Sequence, residues 1–135
     1  YKLSIILLDN HGFSSIGGLS QSVGGEGFGT DFKYRREESG HLDGAYLPVD
    51  FVANAASMGA HAVRARTHDD LKQALVDMKS IDRTTVIVVE TDKESRVPGY
   101  ESWWDVPVAQ VSDTESVKLA RKEYDEQVKL ERHFI

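Results

Sequence analysis

Residues 3 to 8, Leu-Ser-Ile-Ile-Leu-Leu, are a nearly unbroken apolar run. Such a run predicts a strand covered on both faces in a parallel sheet, since a half-exposed strand would alternate apolar with polar positions. From residue 9 to residue 47 no period persists, and 9 of the 11 glycines fall there, at 12, 17, 18, 24, 25, 27, 29, 40 and 44. That stretch predicts a long irregular loop with a short helix starting near Ser14 or Ser15. Loops beyond roughly 12 to 15 residues are uncommon in a domain unless they bind or cover something, which makes this one a candidate functional segment.

Periodicity returns at Pro48, which stands where a first helical residue would, and Val49, Val52, Ala53, Ala56 and Met58 recur at helical spacing until Gly59 supplies a stop. Residues 61 to 66 alternate as a short strand. Thr67 is placed to cap a further helix, with Asp69 and Asp70 in its positive first turn and Leu71, Ala74, Leu75 and Met78 as its buried stripe. Residues 84 to 90, Thr-Thr-Val-Ile-Val-Val-Glu, form a third, β-branched and buried strand. Past Glu90 the chain turns polar; Pro98, Gly99 and Pro107 bracket Tyr100, Trp103 and Trp104 as an arm lying on a surface. Ser112-Asp113-Thr114-Glu115 reads as a capping box, and Val117, Ala120, Tyr124 and Val128 continue as an amphipathic helix to about Leu130. The order strand, loop, helix, strand, helix, strand predicts an α/β fold over residues 1 to 92, part of a doubly wound parallel sheet. A C-terminal arm and helix over residues 93 to 135 complete it.

Composition narrows the classes. With 40% hydrophobic and 28% charged residues in 135, the chain is a single globular domain able to build its own core. The 16 Lys and Arg against 22 Asp and Glu leave a net charge of −6, which argues against nucleic-acid binding by phosphate neutralisation. No cysteine occurs, so disulfides, thiolate metal sites and thiol nucleophiles are excluded. No apolar run is long enough to span a bilayer, and a cytoplasmic setting is expected. A core strand opening the chain at Tyr1 leads us to expect a piece of something longer, with an open sheet edge prone to self-association.

In doubly wound sheets ligands bind beyond the carboxyl ends of the strands, which directs attention to Asp9-Asn10-His11-Gly12-Phe13. The Asn10 side-chain oxygen, with a backbone carbonyl turned through Gly12, suits a hard cation such as Mg²⁺; equally, Asp9-Asn10 forms an Asx turn and nothing more. Gly25, Gly27 and Gly29 give G-x-G-x-G, but Thr30 stands where a dinucleotide fingerprint needs glycine, and Gly18 follows Gly12 to Gly17 where a P-loop needs lysine. The histidines at 11, 41, 61, 68 and 133 lack zinc-ligand spacing. His11 is an acid, base or donor candidate, or a solvated side chain. Glu90 and Asp92 end the third strand at the same sheet edge, as caps or solvated groups. Arg35 and Arg36 are anion contacts or surface charges, and Trp103 and Trp104 suit intersubunit packing.

Leu7-Leu8-Asp9-Asn10-His11-Gly12-Phe13 resembles the second half of the thiamine-diphosphate motif, in which a Gly-Asp-Gly turn is followed by a strand ending in Asn-Asn. The elements that follow resemble the diphosphate-binding domain of the acetolactate synthase-like superfamily. More narrowly, Leu42-Asp43-Gly44, Leu47-Pro48-Val49-Asp50 and Tyr100-Glu101-Ser102-Trp103-Trp104-Asp105-Val106-Pro107-Val108-Ala109 resemble its ring-cleaving trihydroxycyclohexane-dione hydrolases of myo-inositol catabolism. The resemblance implies thiamine diphosphate and Mg²⁺ as cofactors, with Asn10 a metal ligand through its side chain and Gly12 through its carbonyl. His11 and Phe13 would face the diphosphate. Asp9 replaces the usual first Asn. It also implies a cyclic dione as substrate, opened by carbon–carbon cleavage and water, in a homo-oligomer. The Gly-Asp-Gly aspartate and the cofactor-activating glutamate would lie in missing N-terminal segments, so this chain alone is expected to be inactive, with no catalytic residue of its own assigned. A decarboxylase or synthase of the same superfamily, or a non-catalytic α/β interaction module, is the competing reading.

Overall fold

The computed structural model describes residues 1–95 and 103–132. Pro98, Gly99 and Tyr100 of the expected arm, and His133, lie outside them. In chain order the elements are β1 (Ser4–Asp9), α1 (Ser14–Ser22), α2 (Phe51–Ser57), β2 (His61–Ala65), α3 (His68–Asp77), β3 (Thr85–Glu90) and α4 (Glu115–Val128). They fall into two units, Tyr1–Gly12 with Tyr46–Glu94, and Phe13–Ala45 with Ser95–Ile135.

In the first unit β3 lies between β1 and β2 and pairs in parallel with both, Ile87 standing opposite Ile6 on one side and Val63 on the other. A central parallel strand is hydrogen-bonded along both edges and apolar on both faces, which its run of β-branched residues satisfies. Ile87 and Val88 are 0% exposed. Alternation along the strand sends Val86 and Val88 to one face, where they pack with Ala55, Phe51 and Val52 of α2 and with Leu7 and Ala62. Ile87 points the other way, against Ala65 and the stripe Leu71, Ala74, Leu75 and Met78. One helix thus covers each face, the doubly wound α/β arrangement expected from the element order.

The local signals account for most boundaries. Thr67 accepts a hydrogen bond from the Asp70 N–H at 3.1 Å while the Asp70 carboxylate accepts from the Thr67 N–H at 3.0 Å, a reciprocal cap that satisfies two otherwise orphaned donors. The same carboxylate accepts from the Arg66 N–H, and these bonds, led by that of Arg66, hold Asp70 below its ordinary value. The helix after Pro48 begins later than expected, at Phe51, because Asp50 Oδ1 accepts from the N–H groups of both Val52 and Ala53 at 3.0 Å and so sets the N-terminus itself. β1 has a single strand neighbour among the described residues, the open edge expected of it, but it departs from the expected cover on both faces: Ile6 and Leu8 are 47% and 64% exposed. Both share the face of Ile87, where α3 packs over β2 and β3 and stops short of β1.

In the second unit the glycine-rich stretch is more ordered than a loop without period suggests. α1 begins at Ser14 as expected, and the turn after it brings Gly24, at φ +84°, so close to α4 that a Cβ would lie 2.5 Å from the Ser116 carbonyl oxygen. Ser116 Oγ donates to the Gly24 carbonyl at 2.7 Å. Residues 34 to 45 fold back on themselves, the Tyr34 N–H donating to Ala45 and the Gly44 N–H to Tyr34. The expected capping box at 112–115 does not form. α4 starts at Glu115, two residues too late for Ser112 to cap it, and the Glu115 carboxylate pairs with Lys118 at 2.6 Å. Trp103 packs 6.1 Å from the ring of Tyr124, whose hydroxyl donates to the Asp105 carboxylate at 2.9 Å. That hydrogen bond holds the phenol proton and raises the Tyr124 pKa. Among the described residues no helix is long and apolar enough to cross a membrane.

The first unit offers two checks on stability. Ile87→Ala removes a fully buried side chain from beneath α3 and is expected to lower the unfolding free energy by about 3 kcal/mol in urea denaturation. Asp70, with its pKa depressed in the folded state, stabilises above the ordinary carboxylate range, and that contribution disappears as pH falls through the depressed value. The stability gap between the native chain and Asp70→Asn is therefore expected to narrow progressively on acidification, read from thermal midpoints at a series of acid pH values.

Candidate functional site

Parallel pairing sets Asp9, the last residue of β1, beside Glu90, the last of β3, so that the two strands leave the sheet together at its carboxyl edge. Ligands of open α/β sheets bind at this edge, because loops diverge there and leave a crevice. Asp9 is 6% exposed. Its backbone carbonyl accepts from the Thr91 N–H at 2.9 Å and the Thr91 hydroxyl at 3.2 Å, and its Oδ1 accepts from the His11 N–H at 3.0 Å. The Asx turn left open in the sequence is thus made, and by Asp9.

His11 completes that turn at φ +58°, the left-handed region, and among the described residues no other non-glycine has positive φ. A side chain in this conformation meets its own backbone, at a penalty of about 1 to 2 kcal/mol. Contacts of the ring with three neighbours offset it. Nε2 lies 3.1 Å from Glu90 Oε1, and since a carboxylate can only accept, the imidazole donates. Nδ1 lies 3.8 Å from Asp9 Oδ1. The ring faces Tyr46 at 4.8 Å and a 34° tilt, and Lys93 Nζ lies 5.3 Å from the centroid of the same Tyr46 ring. Tyr46 and Lys93 escaped the sequence reading. Tyr46 could have been suspected from its place just before Leu47-Pro48, and Lys93 from its lying three residues past the end of β3; neither carries a motif.

Of the predicted site residues, Asn10, His11 and Gly12 share this turn. Asn10 is half-buried, and its side-chain amide makes no hydrogen bond among the described residues. An uncommitted amide oxygen beside backbone carbonyls is a hard donor set, suited to Mg²⁺ or Ca²⁺ rather than to a thiophilic ion. No group of three or more His, Asp or Glu converges on a metal position among the described residues. Phe13 belongs to the second unit, where its N–H donates to the Thr30 carbonyl at 2.6 Å and its ring meets Phe32 edge-on at 5.5 Å.

The other sequence candidates are engaged within the second unit. Arg35 donates to the Gly40 carbonyl, and Arg36 donates to the Asp43 carbonyl at 3.0 Å and pairs with its carboxylate at 3.6 Å. His41 pairs with Glu26 at 3.5 Å. In the G-x-G-x-G segment Gly27 has φ +69° and accepts from Thr30 Oγ1 at 2.6 Å, so these glycines build a tight turn. α1, the arm and α4 line a groove of about 700 Å³ with Leu19, Trp103, Trp104 and Tyr124 on its walls.

Comparison with known proteins covers residues of both units. Residues 1–89 match the family model described as thiamine pyrophosphate enzyme, C-terminal TPP binding domain. The chain is 40% identical over 119 residues to 3D-(3,5/4)-trihydroxycyclohexane-1,2-dione hydrolase 1 of Bacillus cereus, covering 88% of this chain and 18% of that protein. Over the same shares it is 40% identical to the hydrolase of that description from Bacillus anthracis and 37% identical to that of Bacillus thuringiensis. The chain thus spans under a fifth of the length of these relatives. No solved structure matches.

The left-handed turn makes a stability prediction. Both His11→Gly and His11→Ala lose the imidazole contacts, yet glycine adopts φ +58° without penalty. The Gly variant is expected to exceed the Ala variant by about 1 kcal/mol in urea unfolding, the reverse of their usual order.

Proposed function

The chain belongs to the thiamine pyrophosphate enzymes, through their C-terminal TPP-binding domain, and from that premise we propose that it holds part of the Mg²⁺–diphosphate site of a larger hydrolase. In this reading the whole protein opens a trihydroxycyclohexane-1,2-dione by carbon–carbon cleavage, a substrate named in its relatives' descriptions. The observation that carries the proposal is the turn at the end of β1, where a half-buried Asn10 amide without a partner among the described residues sits at the carboxyl edge of a parallel sheet.

The donors fit the group. Asn10 would give its side-chain oxygen and Gly12 its backbone carbonyl to Mg²⁺, both neutral and hard, leaving the cation's charge for the diphosphate. Asp9, in the place of the first Asn, does not compete, because its carboxylate is buried and turned onto the His11 N–H. His11 and Phe13 would face the diphosphate. When bound, thiamine diphosphate supplies the electron sink that carbon–carbon cleavage needs. The share of this chain is to bind and orient: β3 aligns the two strand ends, and the Asx turn presents Asn10. No catalytic proton transfer is assigned to it.

The proposal includes the division at residue 92 into cofactor domain and C-terminal arm, and N-terminal segments that complete the site. A homo-oligomeric, cytoplasmic enzyme is proposed with it; the exposed apolar face of Ile6 and Leu8 on β1 supports a covering partner.

Isothermal titration with thiamine diphosphate and Mg²⁺ tests this reading. A longer protein, restoring the segments its relatives carry, is expected to bind, and Asn10→Ala to abolish binding or weaken it by a factor of at least about ten. Binding unchanged by Asn10→Ala would refute the assignment. Turnover of pyruvate in place of the cyclic dione would shift the chemistry to a decarboxylase or synthase.

A further inference from the structure

We infer that Glu90 and Tyr46 are positioning residues for the cofactor turn, holding it in its binding shape through the His11 imidazole. The inference rests on the reading of Asn10 and Gly12 given above and adds to it two residues far away in the chain.

The turn is not one the backbone adopts unaided, because His11 sits at φ +58° directly between the two proposed ligands. The Asp9 side chain fixes one end, accepting from the His11 N–H at 3.0 Å. The imidazole adds a second restraint at the centre of the turn. Glu90, on the neighbouring strand, holds Nε2 at 3.1 Å, while the Tyr46 ring packs against the imidazole at 4.8 Å. Lys93 in turn lies over Tyr46 at 5.3 Å from its centroid. The ring is therefore gripped by a carboxylate on β3 and by an aromatic from the segment that leads into α2, and the His11 Cα, with Asn10 and Gly12 on either side, cannot rotate without breaking both contacts. Partners bonded directly to a metal ligand change affinity by roughly 10- to 100-fold when removed, and Glu90 and Tyr46, which act one residue removed through His11, are expected at the low end of that range.

The grip is specific in its chemistry. Glu90 acts as an acceptor at a fixed register, opposite Asp9, so shortening or neutralising it loosens the ring. Tyr46 acts through its ring face, so phenylalanine preserves what alanine removes. Glu90 and Tyr46 are both exposed enough to change without opening the core, the Tyr46 residue being 38% exposed and the Glu90 side chain 50%.

The test titrates thiamine diphosphate with Mg²⁺ into the full-length protein carrying this chain, as native, Asn10→Ala, Glu90→Gln, Tyr46→Ala and Tyr46→Phe forms, with circular dichroism to confirm folding. Histidine side-chain nitrogen NMR follows the His11 ring in the absence of cofactor. Glu90→Gln and Tyr46→Ala are each expected to weaken binding about tenfold and to move the His11 nitrogen resonances, while Tyr46→Phe keeps both near native. Loss of binding in Asn10→Ala with native affinity in Glu90→Gln and Tyr46→Ala would overturn the positioning role and leave the site reading intact. Native affinity in Asn10→Ala would overturn the site reading and the inference together. Unmoved His11 resonances in Glu90→Gln would also overturn the inference, even if affinity fell.

Discussion

Everything described in the first unit depends on β3 being paired on both edges and buried on both faces. A parallel ladder fixes which residues stand abreast, and here it sets Asp9 against Glu90 at the point where both strands end. Had the pairing slipped by one residue, each β1 side chain would turn to the other face and Glu90 would stand beside Leu8 or Asn10 instead of Asp9. The ladder is thus what holds Glu90 within hydrogen-bond reach of His11. Core packing and site geometry are one constraint, transmitted through the backbone ladder.

The turn built on that edge stores a local penalty against several weak contacts. His11 in the left-handed region is unfavourable by itself, and no single neighbour compensates for it; a backbone-to-carboxylate bond, an imidazole-to-carboxylate bond and a ring contact do so jointly. Departures from a family pattern can then be read physically. Asp9 in place of Asn keeps the acceptor that the Asx turn requires, directed at the His11 backbone N–H, and so does not compete with Asn10 in the proposed site.

The second unit shows a different use of glycine. Its loop is dense in glycine where chains approach closely, as at Gly24 against α4, and where a tight turn is needed, as at Gly27. Arg35, Arg36 and His41 look available in the sequence but are held by the loop itself. Trp103 packs on Tyr124, and Tyr124 in turn on Arg121 and Asp105, which ties the arm to α4.

Hydrophobic periodicity and caps alone determined the α/β class, the three strands, the helices at 68 to 77 and 115 to 128 to within a few residues, and the strand end at Asp9-Asn10 as the place to look, while of the helix at 14 to 22 only the start was expected. These are short-range properties: side-chain alternation, β-branching and a threonine followed by an aspartate three residues on each act within a few residues of chain. Asp50 displacing Pro48 as the start of α2, and the failed box at 112–115, show where equally local signals competed and one donor–acceptor geometry won. Only the tertiary structure decided that the Asx turn forms at Asp9, and that Glu90 and Tyr46 gather around His11 with Lys93 against Tyr46. Their sequence separations are too large for any periodicity to encode; the strand order β1-β3-β2 brings them together, and strand order is chosen by how the whole core packs.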